Sequence, residues 1–201
     1  MIFVCTANFL LAASPQKTTD AIVYGGAGVT VDDTIVSGSL VVFPGNVVET
    51  HDAHFADLKQ PGSTIRLLGH SRARYAGASI ELLSGSAVVN SVNAFTVTTP
   101  CYSVKASTAN ARFSVVPYRG HVYVAAEEGS IEVKIGTTMH NVMAKTIAIS
   151  GCGASPAVVH EVGGSDFIAK VVFGAAGGAA IAAVVVLPKQ EISSQSPNPR
   201  H

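Results

Sequence analysis

The chain has 201 residues, with 13 Lys and Arg balanced by 13 Asp and Glu, and only 13% of its side chains are charged, about half the usual share. A neutral, charge-poor chain without a Lys/Arg cluster excludes nucleic acid as a partner, because binding phosphates needs concentrated basic charge. Val, Ala, Gly, Ser and Thr take the place of the missing charge, so β-branched residues and turn formers predict an all-β protein long enough for one domain.

Residues 1–20 read as a leader. An apolar run from Met1 to Ala13 precedes Ser14-Pro15, which matches the hydrophobic and cleavage regions of an export signal without its basic start. No lipobox cysteine follows, so a lipid anchor is not expected. Gly25-Gly26-Ala27-Gly28 lacks both the third glycine of a dinucleotide fingerprint and the Lys-Ser/Thr of a P-loop, and reads as a flexible turn.

Downstream, apolar and polar residues alternate over short stretches broken by Gly, Pro, Ser and Asn. This predicts strands at 39–43, 47–49, 63–68, 73–75, 79–83, 87–90, 95–98, 102–105, 111–116, 121–126, 130–135 and 146–149. Such regular spacing implies a sandwich or a coiled stack of short antiparallel strands, assigned to residues 21–155. Two stretches, 80–89 and 122–133, place Gly85-Ser86 and Gly129-Ser130 between β runs. They read as two similar hairpins in which glycine supplies a positive φ.

Chemistry-bearing residues are sparse along this stretch. His51-Asp52-Ala53-His54 with Asp57 is the densest group of metal donors, but on a strand His51 and His54 face opposite ways, and a solvated polar loop is the expectation. His70, His121, His140 and His160 stand singly, and no G-x-S-x-G occurs, so no nucleophile is expected. Glu127 and Glu128 are adjacent, which sends their carboxylates to opposite faces, and they read as solvated turn charges. Tyr75, Tyr102, Tyr118 and Tyr123 offer surfaces on which a glycan could stack, a thin platform in a chain without Trp. No residue set predicts a cofactor.

The cysteines, Cys5, Cys101 and Cys152, are spaced too widely for zinc or iron-sulfur ligation. Once a leader is removed, Cys101 and Cys152 remain as a pair that an exported domain could join in a disulfide. Gly151-Cys152-Gly153 has no neighbouring histidine or basic cluster that would lower the thiol pKa.

Beyond a linker at 156–166, residues 167–187 read FIAKVVFGAAGGAAIAAVVVL, nearly the ~20 apolar residues that cross a bilayer as a helix, with Lys170 near enough to one edge to snorkel. Gly174 and Gly178 give the G-x-x-x-G spacing that lets two helices approach closely, which makes a homodimer through this helix an expectation. Lys189 and Arg200 follow the span while Glu161 and Asp166 precede it. The positive-inside bias then puts the polar tail 188–201 in the cytoplasm and the β domain outside.

The order of segments FPGNVVET at 43–50, PGSTIRL at 61–67, IELLSGSAV at 80–88, FTVTTP at 95–100, ARFSV at 111–115 and VYVAAEEGSIEV at 122–133 resembles a FecR-type domain. The resemblance implies an extracytoplasmic β domain engaged in protein contacts, which in some members passes a signal to a membrane-spanning anti-sigma segment. In those signalling members the span precedes the β domain, whereas here it follows. The resemblance carries no enzyme activity and no catalytic residue. The expectation is a membrane-tethered protein-interaction or signalling module of a bacterial envelope, with an envelope polysaccharide-binding module as the alternative.

Overall fold

A computed structural model describes residues 19–118, 121–143, 146–150 and 158–162. They form strands β1 (Ala21–Gly25), β2 (Val29–Val31), β3 (Thr34–Ile35), β4 (Gly38–Val42), β5 (Val47–Thr50), β6 (Ala56–Gln60), β7 (Ser63–Leu67), β8 (Arg72–Tyr75) and β9 (Ser79–Ser84). The second half continues with β10 (Ala87–Ser91), β11 (Thr96–Thr98), β12 (Tyr102–Ala106), β13 (Ala111–Tyr118), β14 (His121–Glu128), β15 (Ser130–Ile135), β16 (Thr138–Met143), β17 (Thr146–Ser150) and β18 (Val158–Val162). The all-β expectation holds for the described residues. β18 lies inside the stretch read as a linker, paired with β17. Among the described residues no helix is long and apolar enough to cross a membrane, and the expected helix at 167–187, with Gly174 and Gly178, lies outside them, as do residues 1–18 of the expected leader 1–20 and the tail.

The strands build two nine-stranded sheets, one in the order β18-β17-β14-β13-β10-β7-β6-β1-β4 and the other β16-β15-β12-β11-β9-β8-β5-β2-β3. The chain repeatedly passes between them, as a coiled stack requires. Neighbouring strands are antiparallel throughout, apart from the parallel pair β9–β11. That exception follows from the path, because β10 crosses in the opposite sheet and returns the chain beside β9 in its original direction.

Period-two alternation explains the core. In β7, Ser63, Ile65 and Leu67 point inward while Arg66 is exposed. Val23, Leu58, Ile65, Val89 and Phe113 from one sheet meet Val48, Ile80, Val97, Val104 and Ile131 from the other in one fully buried cluster, each side chain contributing about 1.5–3 kcal/mol. On the outer faces charges pair across strands in register: Asp57 with Arg66, Glu49 with Arg72, and Arg74 with Glu81.

The two expected hairpins are corners instead. β9 and β10 lie in different sheets, as do β14 and β15, so Gly85 (φ +78°) and Gly129 (φ +71°) turn the chain from one sheet to the other. Both corners are latched alike. The Ser86 N–H donates to Ser71 Oγ (2.8 Å) and the Ser130 N–H to Thr108 Oγ1 (2.9 Å). The Ser86 and Ser130 carbonyls accept from the N–H of Leu68 and of Ser107, each at 3.0 Å. A glycine with positive φ suits a hairpin and a corner equally well, which is why the sequence did not separate them.

Candidate functional site

The most site-like region lies where β1 and β4 stop pairing, at Gly25 and Gly38, close to the turn that joins β5 to β6. That turn holds the His51–His54 donors. Its backbone is fixed by hydrogen bonds from His51 N–H to Gly28 O (2.8 Å) and from His54 N–H to His51 O (3.1 Å). Asp52 adopts φ +50°, a conformation that Asp tolerates better than most residues.

Two glycines make room for the turn. A Cβ on Gly28 would fall 2.0 Å from the His54 ring, and one on Gly69 would fall 1.9 Å from the Asp52 carbonyl oxygen. The Gly25-to-Gly28 run is thus a packing device as well as a turn, because its last glycine seats the His54 imidazole. Asp57 is held elsewhere: Arg66 donates to both of its carboxylate oxygens, at 2.7 and 2.9 Å, and that bond holds the guanidinium pKa above its ordinary value. Among the described residues no group of three or more His, Cys, Asp or Glu is placed to hold a metal ion.

Beside this turn is an open groove of about 310 Å³. It is lined by Gly25, Gly26 and Gly38 together with Tyr24, Ala53, His54, Phe55 and Asp57. Tyr24 and Phe55 are 42% and 49% exposed. Each ring carries a cation over one face, Lys59 Nζ at 4.9 Å from the Tyr24 centroid and Arg66 Cζ at 4.6 Å from that of Phe55. Neither cation lines the groove.

The margin continues along β4, which among the described residues is an edge strand paired only with β1. Ser39, Leu40 and Val41 are exposed along it, Phe43 follows, and Ile22 and Tyr24 present apolar surface on β1. Gly38 to Phe43 contains no charged residue.

The aromatic platform read from the sequence is not assembled. Tyr75 is fully buried, with its hydroxyl within hydrogen-bond distance of Thr19 O (2.6 Å) and Gln60 Oε1 (2.7 Å). Burial, reinforced by Asp20, pushes its pKa up to about 12. Tyr102 is also buried and Tyr123 half-buried, while the Tyr118 side chain lies outside the described residues. Exposed ring surface is supplied instead by Tyr24 and Phe55, which the tyrosine reading missed. The only signal available for them was their place beside turn residues.

Glu127 is likewise not a solvated charge. A bulge in the β13–β14 ladder sets Arg112 opposite Glu128 while its guanidinium pairs with Glu127 at 3.1 Å. Burial raises the Glu127 pKa against the lowering effect of Arg112, and Glu128 raises it further. Cys101 packs half-buried against the core, and Cys152, its expected disulfide partner, lies outside the described residues. His70 adopts φ +57°, and the His121 ring lies 6.3 Å from that of Tyr123.

No family model matches the chain, and no curated protein is significantly similar to it. Two solved structures of candidate anti-sigma factors from Parabacteroides distasonis resemble it. One is 16% identical, with 62% of this chain and 63% of that chain aligned at a TM-score of 0.51. The other is 17% identical over 57% and 59%, at a TM-score of 0.48. The chain spans about three fifths of the length of these proteins, and what it has in common with the first of them is its fold.

Proposed function

We propose that this chain is a non-enzymatic, FecR-like extracytoplasmic β module that makes protein contacts in the cell envelope, as a signalling component or a scaffold, and is tethered by residues 167–187. The free β4 margin carries this reading. Natural edge strands are blunted by Lys, Pro, bulges or extreme shortness. β3, one edge of the second sheet, is two residues long, and β16, its other edge, is likewise uncharged but exposes only methionines as large apolar side chains, whereas β4 has five residues without charge or proline and leads into exposed Phe43. An extended segment of a partner can add to β4 as a further strand, its backbone completing the ladder and its side chains resting on Leu40 and Val41. The fold in common with a candidate anti-sigma factor and the FecR-like order of segments support the signalling form.

The test is site-specific photocrosslinking in the native cell, with the full chain carrying the photoreactive residue at Val41 or, as a control, at exposed Lys134 on β15. A discrete adduct with an envelope protein from Val41 and none from Lys134 is expected. Equal labelling from the two positions, or none from Val41, would refute the reading. The reading places the β domain in the periplasm, so protease added to spheroplasts, from which the outer membrane barrier has been removed, should cleave it.

A further inference from the structure

The groove at the Gly38 end of β4 has a chemistry of its own, independent of the protein-contact reading. We propose that it binds a neutral pyranose saccharide, with Tyr24 and Phe55 as its stacking surfaces. A pyranose ring presents an apolar C–H face together with hydroxyls at its rim, and the groove offers the complement of both. Two exposed rings line it beside His54 and Asp57, and its three lining glycines leave peptide groups uncovered by any Cβ. Its volume of about 310 Å³ lies at the lower end of small-molecule sites.

The rings are held rather than free, since Lys59 and Arg66 each cap one face from outside the groove. Charge selects the kind of sugar. No Lys or Arg lines the groove, and its one carboxylate, Asp57, is already matched by Arg66. Nothing there favours a uronate or phosphate polymer, and charge complementarity points to a neutral ligand. A peptide strand is the weaker fit, because at Gly25 and Gly38 the β1–β4 ladder that it would extend has ended.

The full chain, solubilised in a detergent without a sugar headgroup, would be titrated by calorimetry with chitotetraose, cellotetraose and tetragalacturonate. Saturable binding of at least one neutral tetrasaccharide is expected, weakened about tenfold or more by Y24A, F55A and G26L. Gly26 lines the groove, has no positive φ, and a Cβ there meets nothing within 4 Å, so G26L adds bulk at the groove without straining the fold. F43A removes an exposed ring that does not line the groove and should leave binding unchanged. The proposal fails if neither neutral sugar binds, if G26L binds as the wild type does, or if tetragalacturonate binds most tightly.

Discussion

Two sets of buried polar groups in this protein meet opposite fates. Near strand ends, Thr50 Oγ1 accepts from the Ser71 N–H (2.9 Å) and donates to the Leu68 carbonyl, while Ser71 Oγ serves both the N–H and the carbonyl of Ser86. Ser63 Oγ meets Ser91 Oγ at 2.6 Å, and Ser91 in turn donates to Asn93 O. On the outer face of β13, β14 and β17 the buried Ser114 Oγ, Thr146 Oγ1, Glu127 Oε1 and His121 Nδ1 have no hydrogen-bond partner among the described residues. The two hydroxyls among them are flanked in register by Val88 and Ala125 for Ser114, and by Ala125 and Val162 for Thr146. Where strands end, loop backbone offers spare donors and acceptors. Between ladder-saturated strands with apolar neighbours, a hydroxyl meets none.

This contrast can be tested, beginning with the largest effect. Gly85→Ala should destabilise the fold by about 3 kcal/mol or more, read from urea denaturation, since it adds the strain of a positive φ to a severe clash. Its Cβ would lie 2.4 Å from Ser71 Cα, within the latched set. Gly129→Ala should cost less, because its nearest obstacle is a side-chain atom, the Thr108 hydroxyl at 2.5 Å, and the nearest backbone atom is 3.2 Å away. Thr50→Val strips the partner from the buried Ser71 N–H and should cost about 1–3 kcal/mol.

For the unpartnered set the sign reverses. Thr146→Val, nearly isosteric, should be neutral or stabilising by about 1 kcal/mol, because it removes a desolvated hydroxyl that bonds to nothing. A loss comparable with that of Thr50→Val would sink the contrast. Glu127 adds a pH signature. Its folded pKa is raised, so the folded state holds its proton more tightly than the unfolded state, and stability falls as pH rises from the ordinary glutamate value of about 4.3 toward the folded one. Glu127→Gln should flatten that decline in a series of melting curves. The smallest effect belongs to the outer-face pair of Asp57 and Arg66, where Asp57→Asn should change stability by about 0–1 kcal/mol.

Much of the fold was legible. Each stretch expected to be a strand overlaps an observed one, because alternation of apolar and polar residues directly encodes which face of a sheet is buried. Among the described residues six strands went unread: β2 and β3 are very short, β16 is largely exposed, β6 is the charged segment Ala56-Asp57-Leu58-Lys59-Gln60, β18 fell in the stretch read as a linker, and β1, despite its clear alternation, runs directly into the glycine turn. In β6 the alternation is present, with Ala56 and Leu58 inward, but its outward charges resemble a loop.

The groove was less legible still. Tyr24 and Phe55 stand far apart in the chain, and only the placement of β1 beside β6 brings them to one opening. His54 and Asp57 are neighbours in sequence and line the same groove, yet packing sets the His54 ring against Gly28 and commits the Asp57 carboxylate to Arg66.

By itself, then, the sequence determined the all-β character, the inward and outward faces of most strands, and the glycines at which the chain turns, since these depend on local conformation and period-two patterning. Tertiary structure alone decided whether Gly85 and Gly129 close hairpins or corners, which hydroxyls find partners, and which aromatic rings reach the surface together. Those outcomes depend on the order of strands in each sheet, and strand order is set by long-range pairing that no local window of sequence contains.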